Sequence, residues 1–343
     1  MIAIRVPATS ANIGPGFDAL GVALRLYDEF TVEESDRVEV LGCAPEYSGS
    51  DNLFVRAYRG AHDELGLPFR GVRVRVDAAI PLARGLGSSA AMIVGGAAAA
   101  AVDAATAAGR GPLGYDRDFV LDFAARMEGH PDNAAPAVMG GFCAAILSAA
   151  APRHSRPPRE FPGVPVSAHA RPRVARFSVD ETLVFHALVP PFELSTAAAR
   201  AALPPSLPLK DAAFNAGRAA MVACAFAGRD YSLLRDACED RIHQPWRAPL
   251  IPGYDEVMRA CRESGALAVW LSGAGPTIMA LTAAPAVAAA AGIGAGDYAE
   301  SGSASGFAQA IASVLAARPE GAWRHIALAP DNDGLRIVSH AAP

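Results

Sequence analysis

Residues 85–102 read GLGSSAAMIVGGAAAAAV, a glycine-rich turn running into a stretch of small residues that carries no charge. Such a stretch has two possible destinations, a membrane or the interior of a folded domain. Alanine is only weakly apolar, and a spanning helix needs about 20 predominantly apolar residues. A second uncharged stretch, residues 264–296, is broken by SGAGP, which ends in Pro276, and by Pro285, and unpaired backbone cannot face lipid. Both therefore read as core elements of a soluble protein with no membrane partner. The chain has 343 residues, 52% hydrophobic and 19% charged, enough for one large or two ordinary domains with a sizeable core. A formal charge of -5 argues against a nucleic-acid partner, which would call for a basic chain. The start, MIAIRVPATS, has no basic region ahead of an apolar one, so no signal peptide is expected. Cys43, Cys143, Cys224, Cys238 and Cys261 form no CxxC pair. Reduced thiols and a cytoplasmic location are the simplest reading.

Around this core the pattern mixes short strands with amphipathic helices. Strands are expected at 3–6, ended by Pro7, and at 37–41, 72–76, 141–147, 182–189, 267–271, 277–282, 323–328 and 335–338. Helices are expected at 52–65, from Ser88 along the alanine run, and at 115–127, 196–202, 212–227, 231–242, 254–263 and 307–317. Residues 19–24 read as an apolar helical run behind Asp18, while Gly129, Pro131 and Pro136 impose an irregular path. Residues 151–173 are rich in proline and arginine without interleaved aromatics. They read as a solvated connection, giving a soft boundary between domains 1–160 and 161–343. No internal repeat is present, and the mixture points to an α+β fold.

Of the 30 basic residues, Lys210 is the only lysine. A Walker-type phosphate loop needs a lysine after its glycines, and Lys210 lies in LPLKDAAF with no such loop before it. Schiff-base chemistry would rest on this one residue. Charge recognition falls instead to arginine, whose planar fork suits carboxylates and phosphates. Four elements carry chemistry. PLARGLGSSAA, residues 81–91, is a turn whose free N–H groups and helix dipole can hold phosphates without a lysine; a plain helix start capped by Ser88 is the bland alternative. SGAGP, 272–276, permits close backbone approach, or is simply a tight turn. EGHPDN, 128–133, can supply a carboxylate to Mg2+ and position a substrate, or form a surface turn. SANIGPGFD, 10–18, puts Asn12 and Asp18 on one loop, where Asp18 can also serve as an N-cap. No second His or Cys stands at zinc-ligand spacing.

Three of these segments, in this order and spacing, resemble the GHMP kinases, the family of galactokinase, homoserine kinase, mevalonate kinase and phosphomevalonate kinase. The phrases VPATSANIGPGFDALGVAL, EGHPDNAAPAVMGGF, STAAARAALP and HQPWRAPLIPG are similar to the branch that phosphorylates L-homoserine. The resemblance spans nearly the whole chain. It implies two α+β halves, the first like domain 2 of ribosomal protein S5 with a left-handed βαβ crossover, the second ferredoxin-like, with the active site between them. It implies ATP and Mg2+ as cofactors, L-homoserine as substrate and O-phospho-L-homoserine, for threonine biosynthesis, as product. Homodimers are common in the family. By resemblance, Pro81, Leu82, Ala83, Arg84, Gly85, Leu86, Gly87, Ser88, Ser89, Ala90 and Ala91 wrap the ATP phosphates, and Asn52 lies near the adenosine. Ser89, with Ser88 as its rival, and Glu128 face the metal. Asn12, Asp18, His130, Arg200 and Arg247 bind homoserine; Asn133 and Thr196 stand beside the reacting hydroxyl. Asp132 is expected to be structural, pairing an arginine. Two other readings stand beside this one: a kinase of the same fold for a mevalonate-like alcohol, and a binding protein that has lost catalysis.

Overall fold

The computed structural model describes residues 1–149, 170–283 and 304–338. The proline- and arginine-rich positions 151–169 and the alanine-rich positions 284–296 lie outside them. Two sheets organise the fold. The first has seven strands: β1 (Ile2–Ala11), β2 (Leu20–Glu33), β3 (Val38–Leu41), β4 (Val72–Ala78), β5 (Phe142–Ala149), β6 (Ala170–Phe177) and β11 (Arg336–Val338). The order is β11-β1-β2-β4-β3, with β5 and β6 continuing from the other half of β2. The second is antiparallel, with the order β10-β7-β9-β8, from β7 (Leu183–Val189), β8 (Ala268–Leu271), β9 (Ile278–Ala283) and β10 (Arg324–Leu328). The seven-stranded sheet draws on both sides of residue 160, because β6 and β11 follow it.

Local sequence explains the main elements. In β4, Val72, Val74 and Val76 are buried while Arg73 and Arg75 face out, the period-2 pattern of a half-buried strand. Strands β3 and β4 are parallel and joined through α1 (Leu53–Leu65). Asn52 caps α1 by accepting from Phe54 N, and Gly66 closes it in the left-handed region. The alanine run is α2 (Ser88–Ala107). Among the described residues it is the one helix long and apolar enough to cross a membrane, but the fold buries it against β2 and α1. Its small residues make that possible. A Cβ on Gly95 would come within 2.8 Å of the Phe30 ring, and one on Gly96 within 2.3 Å of Phe54 O. The smaller core joins α9 (Tyr254–Glu263), through Val257, Met258 and Cys261, to α10 (Ala304–Ala316), through Phe307, Ile311 and Leu315.

Four expectations need correction. Pro7 does not end the first strand. β1 continues to Ala11, and the register against β2 shifts between Pro7 and Ala8, an irregularity of the kind that accommodates a residue lacking an N–H. The run behind Asp18 is not helical but opens the 14-residue strand β2, so Asp18 caps no helix. The expected helix 231–242 breaks into a 3-10 turn (Tyr231–Leu233) and α7 (Leu234–Ala237). Beyond it, Asp240 accepts N–H groups from Ile242, His243 and Gln244 at 2.9, 3.0 and 2.6 Å, which turns the chain into α8 (Gln244–Arg247). Finally, the irregular path after Glu128 includes a short helix, α4 (Ala134–Met139), with Pro136 in its first turn, where a missing N–H costs nothing.

Candidate active site

The signature segments lock into one another. Gly85 and Gly87 both adopt positive φ, +73° and +76°. A Cβ on Gly85 would lie 2.3 Å from Ser272 O, and one on Gly87 2.0 Å from Thr9 Oγ1, so the turn fits against both other segments only as glycine. Thr9 N donates to Leu86 O at 3.1 Å and Gly273 N to Ala11 O at 3.1 Å. Ser272 Oγ donates to Gly85 O at 2.6 Å and shares a 2.8 Å hydrogen bond with Ser10 Oγ. Asn12 Nδ2 donates to Gly273 O at 2.7 Å. SGAGP is therefore a wall shared by the two sheets.

Behind this wall is a cavity of about 320 Å3. Gly87 stands at the N-cap of α2 without a side-chain cap, so the first N–H groups of a 20-residue helix point at the cavity unpaired. The capping role considered for Ser88 is thus not used. Ala83, Arg84, Gly85, Gly87, Ser88, Ser89 and Ala90 line the cavity. Pro81, Leu82, Leu86 and Ala91 do not; Leu86 and Ala91 are fully buried in the core. Arg84 ties its own turn to the segment after β7: it donates to Leu82 O at 3.1 Å and to Pro190 O at 3.2 Å, and pairs with Glu193 at 3.3 Å. Asn52 spends its side chain on the α1 cap and on Tyr47 O, 2.8 Å away, while its neighbours Leu53 and Arg56 reach the cavity.

Glu128 ends α3 (Arg117–Glu128), and Gly129, with φ 86°, swings the chain so that His130, Asp132 and Asn133 line the same cavity. Burial pushes the Glu128 carboxyl up to about 7, with Asp132 adding to the rise, while His130, a hydrogen bond from Ser89 and Arg200 pull the other way. Glu128 Oε2 is buried with no partner. An orphaned carboxylate oxygen beside a serine hydroxyl is a fitting donor set for a hard divalent cation such as Mg2+. Burial alone would lower His130, but the touching Asp132 carboxylate, helped by Glu128 and Asp18, raises it to about 9. Asp132 thus pairs a histidine, not the arginine expected of it. Asn133 Oδ1 accepts from Thr9 Oγ1 at 2.7 Å.

Across the cavity, Arg200 Nη1 and Nη2 donate to the two Asp18 oxygens at 3.1 and 2.8 Å. Asp18 N in turn donates to Asn12 Oδ1 at 3.0 Å. Asn12 and Asp18 hold positive φ, 70° and 57°, an uncommon conformation for residues with a Cβ that tends to persist at functional sites. Thr196 and Arg200 lie one turn apart on α5 (Thr196–Ala201). Arg247, 2% exposed, reaches the cavity from α8 and donates to Gly273 O at 3.0 Å and Ala199 O at 3.3 Å. Burial lowers its pKa, and Arg200 adds to the fall. Asp18, His130 and Asp132 also place one ligand atom each within 4.8 Å of one another. With Arg200 already on Asp18 and a proton held on His130, that group suits a charged organic substrate better than a metal.

Sequence reasoning missed Thr9, which lies within the first signature segment, and His243, which lies within HQPWR; both signals were present. It also missed Phe17, whose ring stacks on His243 at 5.3 Å and lies 5.6 and 5.3 Å from the Arg200 and Arg247 guanidinium carbons.

The arrangement defines a class: a two-domain fold in which a lysine-free glycine turn at a helix start and a set of paired charges line one cavity. The model for the GHMP kinases N terminal domain matches residues 52–141, and that for GHMP kinases C terminal matches residues 199–296; the chain belongs to the GHMP kinase family. Among its relatives, the homoserine kinase of Clostridium botulinum (strain Okra / Type B1) is 42% identical over 282 residues, covering 82% of this chain and 86% of the relative. That of Caldicellulosiruptor bescii is 40% identical over 285 residues, covering 82% and 84%. The crystal structure of homoserine kinase from Cytophaga hutchinsonii aligns with a TM-score of 0.72 at 26% identity over 98% of this chain and 97% of that one. Methanococcus jannaschii mevalonate kinase, at 11% identity and a TM-score of 0.60 over 96% and 98%, shares the fold.

Proposed function

We propose that this chain transfers the γ-phosphoryl group of ATP to the side-chain hydroxyl of L-homoserine, giving O-phospho-L-homoserine for threonine biosynthesis. The observation that supports it most is the Asp18–Arg200 pair with Arg247, facing the bare start of α2 across one cavity. The homoserine ammonium takes over Asp18, and its carboxylate takes Arg200 with Arg247 through charge-assisted hydrogen bonds. One ion pair is exchanged for two, so no buried charge is stranded.

The α2 N–H groups and the turn at 85–90 receive the phosphates. Ser89 and Glu128 would hold Mg2+, which when bound neutralises phosphate charge and aligns the oxygens. His130, kept protonated by Asp132 at neutral pH, contributes positive charge rather than a base. Asn133 and Thr196 orient the hydroxyl. Phosphoryl transfer depends chiefly on alignment and charge stabilisation, so no strong base is required.

A coupled assay for ADP release over a panel of alcohols tests the reading. Mg2+-dependent ADP formation is expected with L-homoserine and not with mevalonate. Turnover of mevalonate without homoserine would put the alternative alcohol kinase in its place; ATP binding with no turnover of any alcohol would leave a binding protein.

A further inference from the structure

His243 belongs to none of the roles above, yet it joins the loop bearing Asp18 to the helix bearing Arg247. It is fully buried. Its Nε2 lies 2.7 Å from Gly14 O, in the loop that carries Asn12 and Asp18. Its Nδ1 lies 3.2 Å from Nη1 of Arg247, one helical turn further on. A carbonyl oxygen only accepts and a guanidinium only donates. The two contacts together therefore fix one state: a neutral imidazole with its proton on Nε2 and a lone pair on Nδ1 facing the arginine. The nearest carboxylate, Asp240, is 3.6 Å from Nε2, and its oxygens already accept backbone N–H groups and the Asn215 amide. Burial disfavours the imidazolium.

Arg247 makes three described hydrogen bonds: two to the carbonyls of Ala199 and Gly273 and one to this ring nitrogen. The carbonyls hold the guanidinium from SGAGP and α5. The imidazole holds the third direction, and Phe17 stacks on its face. Gly14 is itself pressed into place, since a Cβ there would lie 2.4 Å from Cys238 O. The ring thus bridges this close-packed loop and α8.

We infer that His243 is a positioning residue for substrate recognition: its Nδ1 lone pair orients Arg247 toward the substrate carboxylate, and its Nε2–H fixes that assembly to the loop bearing Asp18. This inference rests on the functional reading above.

The test compares two variants that separate the two ring nitrogens. His243→Gln can keep a donor for Gly14 O and loses the acceptor for Arg247. His243→Asn can return an acceptor oxygen near the Nδ1 position and loses the donor. Kinetics are measured with whichever alcohol the wild-type enzyme phosphorylates, so that absence of homoserine turnover in the wild type sinks the functional reading alone. A hydrogen bond to a charged group carries an effect on the order of 10- to 100-fold. His243→Gln should raise KM for the alcohol by that factor and leave KM for ATP within about twofold; His243→Asn should recover most of the loss. In an Arg247→Ala background, His243→Gln should add almost nothing, which holds the inference to account even where thermal melting shows a weakened variant. Unchanged alcohol KM in His243→Gln, equal rises for both substrates, or the same cost in both backgrounds would overturn it.

Discussion

Gly85 offers a sharp test of the claim that interlocking backbones, rather than side chains, build the phosphate site. Replacing it by alanine has two separable costs. Its φ of +73° places a Cβ in the left-handed region, which costs about 1–2 kcal/mol. The new atom would also sit 2.3 Å from Ser272 O and 2.8 Å from Gly275 O. Both neighbours are backbone and cannot rotate away. Overpacking of this kind costs roughly 1–3 kcal/mol more. Gly66 supplies the control, because its φ is +71° and a Cβ added there would meet nothing within 4 Å. Gly66→Ala should therefore lose about 1–2 kcal/mol and Gly85→Ala about 2–5 kcal/mol. For 343 residues, unfolding entropies near 2.1 cal/mol/K per residue convert these to roughly 1–3 °C and 3–7 °C in Tm. The kinetic signature is more specific. Gly85→Ala must displace either the turn or SGAGP, so KM for ATP should rise while Gly66→Ala leaves it unchanged. Equal melting shifts and equal ATP affinities in the two variants would refute the reasoning, since they would mean that the turn does not depend on its contact with Ser272 and Gly275.

Arg200→Ala should raise KM for homoserine by a factor equivalent to about 2–5 kcal/mol, while melting within about 1 kcal/mol of wild type, since its ion pair with Asp18 has side chains 40% and 33% exposed; a steady-state titration and a melt check both. Glu128 gives a pH prediction. Its folded carboxyl is raised to about 7 from 4.5, so the ligand-free fold carries a penalty that is absent below about pH 4.5, grows through pH 7 and is complete above it. Glu128→Gln should therefore melt higher than wild type at pH 8.5, by an amount on the order of 1–3 kcal/mol, the full shift being discounted for cavity water, and at the same temperature as wild type at pH 4.5, while losing most activity; a stabilisation independent of pH would contradict this. His130 has the opposite sign: raised to about 9 from 6.5, it contributes stability below pH 6.5 that is lost as pH rises through 9, so Asp132→Asn should flatten that loss in a pH series of melts. Lys210→Arg, on the exposed first turn of α6 (Leu209–Gly228), should retain full phosphoryl transfer in the coupled assay.

Much of the fold was legible because its elements obey local rules. The valine–arginine alternation of β4 reads directly from residue type. What local rules could not supply was the effect of tertiary context. The apolar run after Asp18 suits a helix as well as a strand, and only pairing along β1 makes it the long strand β2. The run 231–242 has helical periodicity, but Asp240 takes three consecutive backbone N–H groups for itself, and no pattern of apolar residues announces that. The alanine helix was recognised as a core element, but the reason for its glycines, the approach of Phe30 and Phe54, is a distance that only the folded chain possesses.

The site divides in the same way. Asp18 and Glu128 stood out by their chemistry within short polar motifs, and Arg200 and Arg247 through the family resemblance; all four line one cavity. Residues that act through another residue did not stand out. Thr9 matters because it holds Asn133 and His243 because it touches Arg247; Asp132 was singled out, but its partner is His130 and not an arginine. The lone lysine sharpens the point. With 29 of its 30 basic positions arginine and Lys210 outside the cavity lining, the chain has no lysine to send to a phosphate there, and the proposed phosphate recognition rests chiefly on backbone geometry. Gly85 and Gly87 free the first N–H groups of α2, the SGAGP wall holds the turn in place, and the arginines are left for planar recognition at the opposite side of the cavity. A mutation in the wall should consequently weaken the nucleotide, and a mutation around Arg247 the alcohol, even though the two surfaces meet at Gly273.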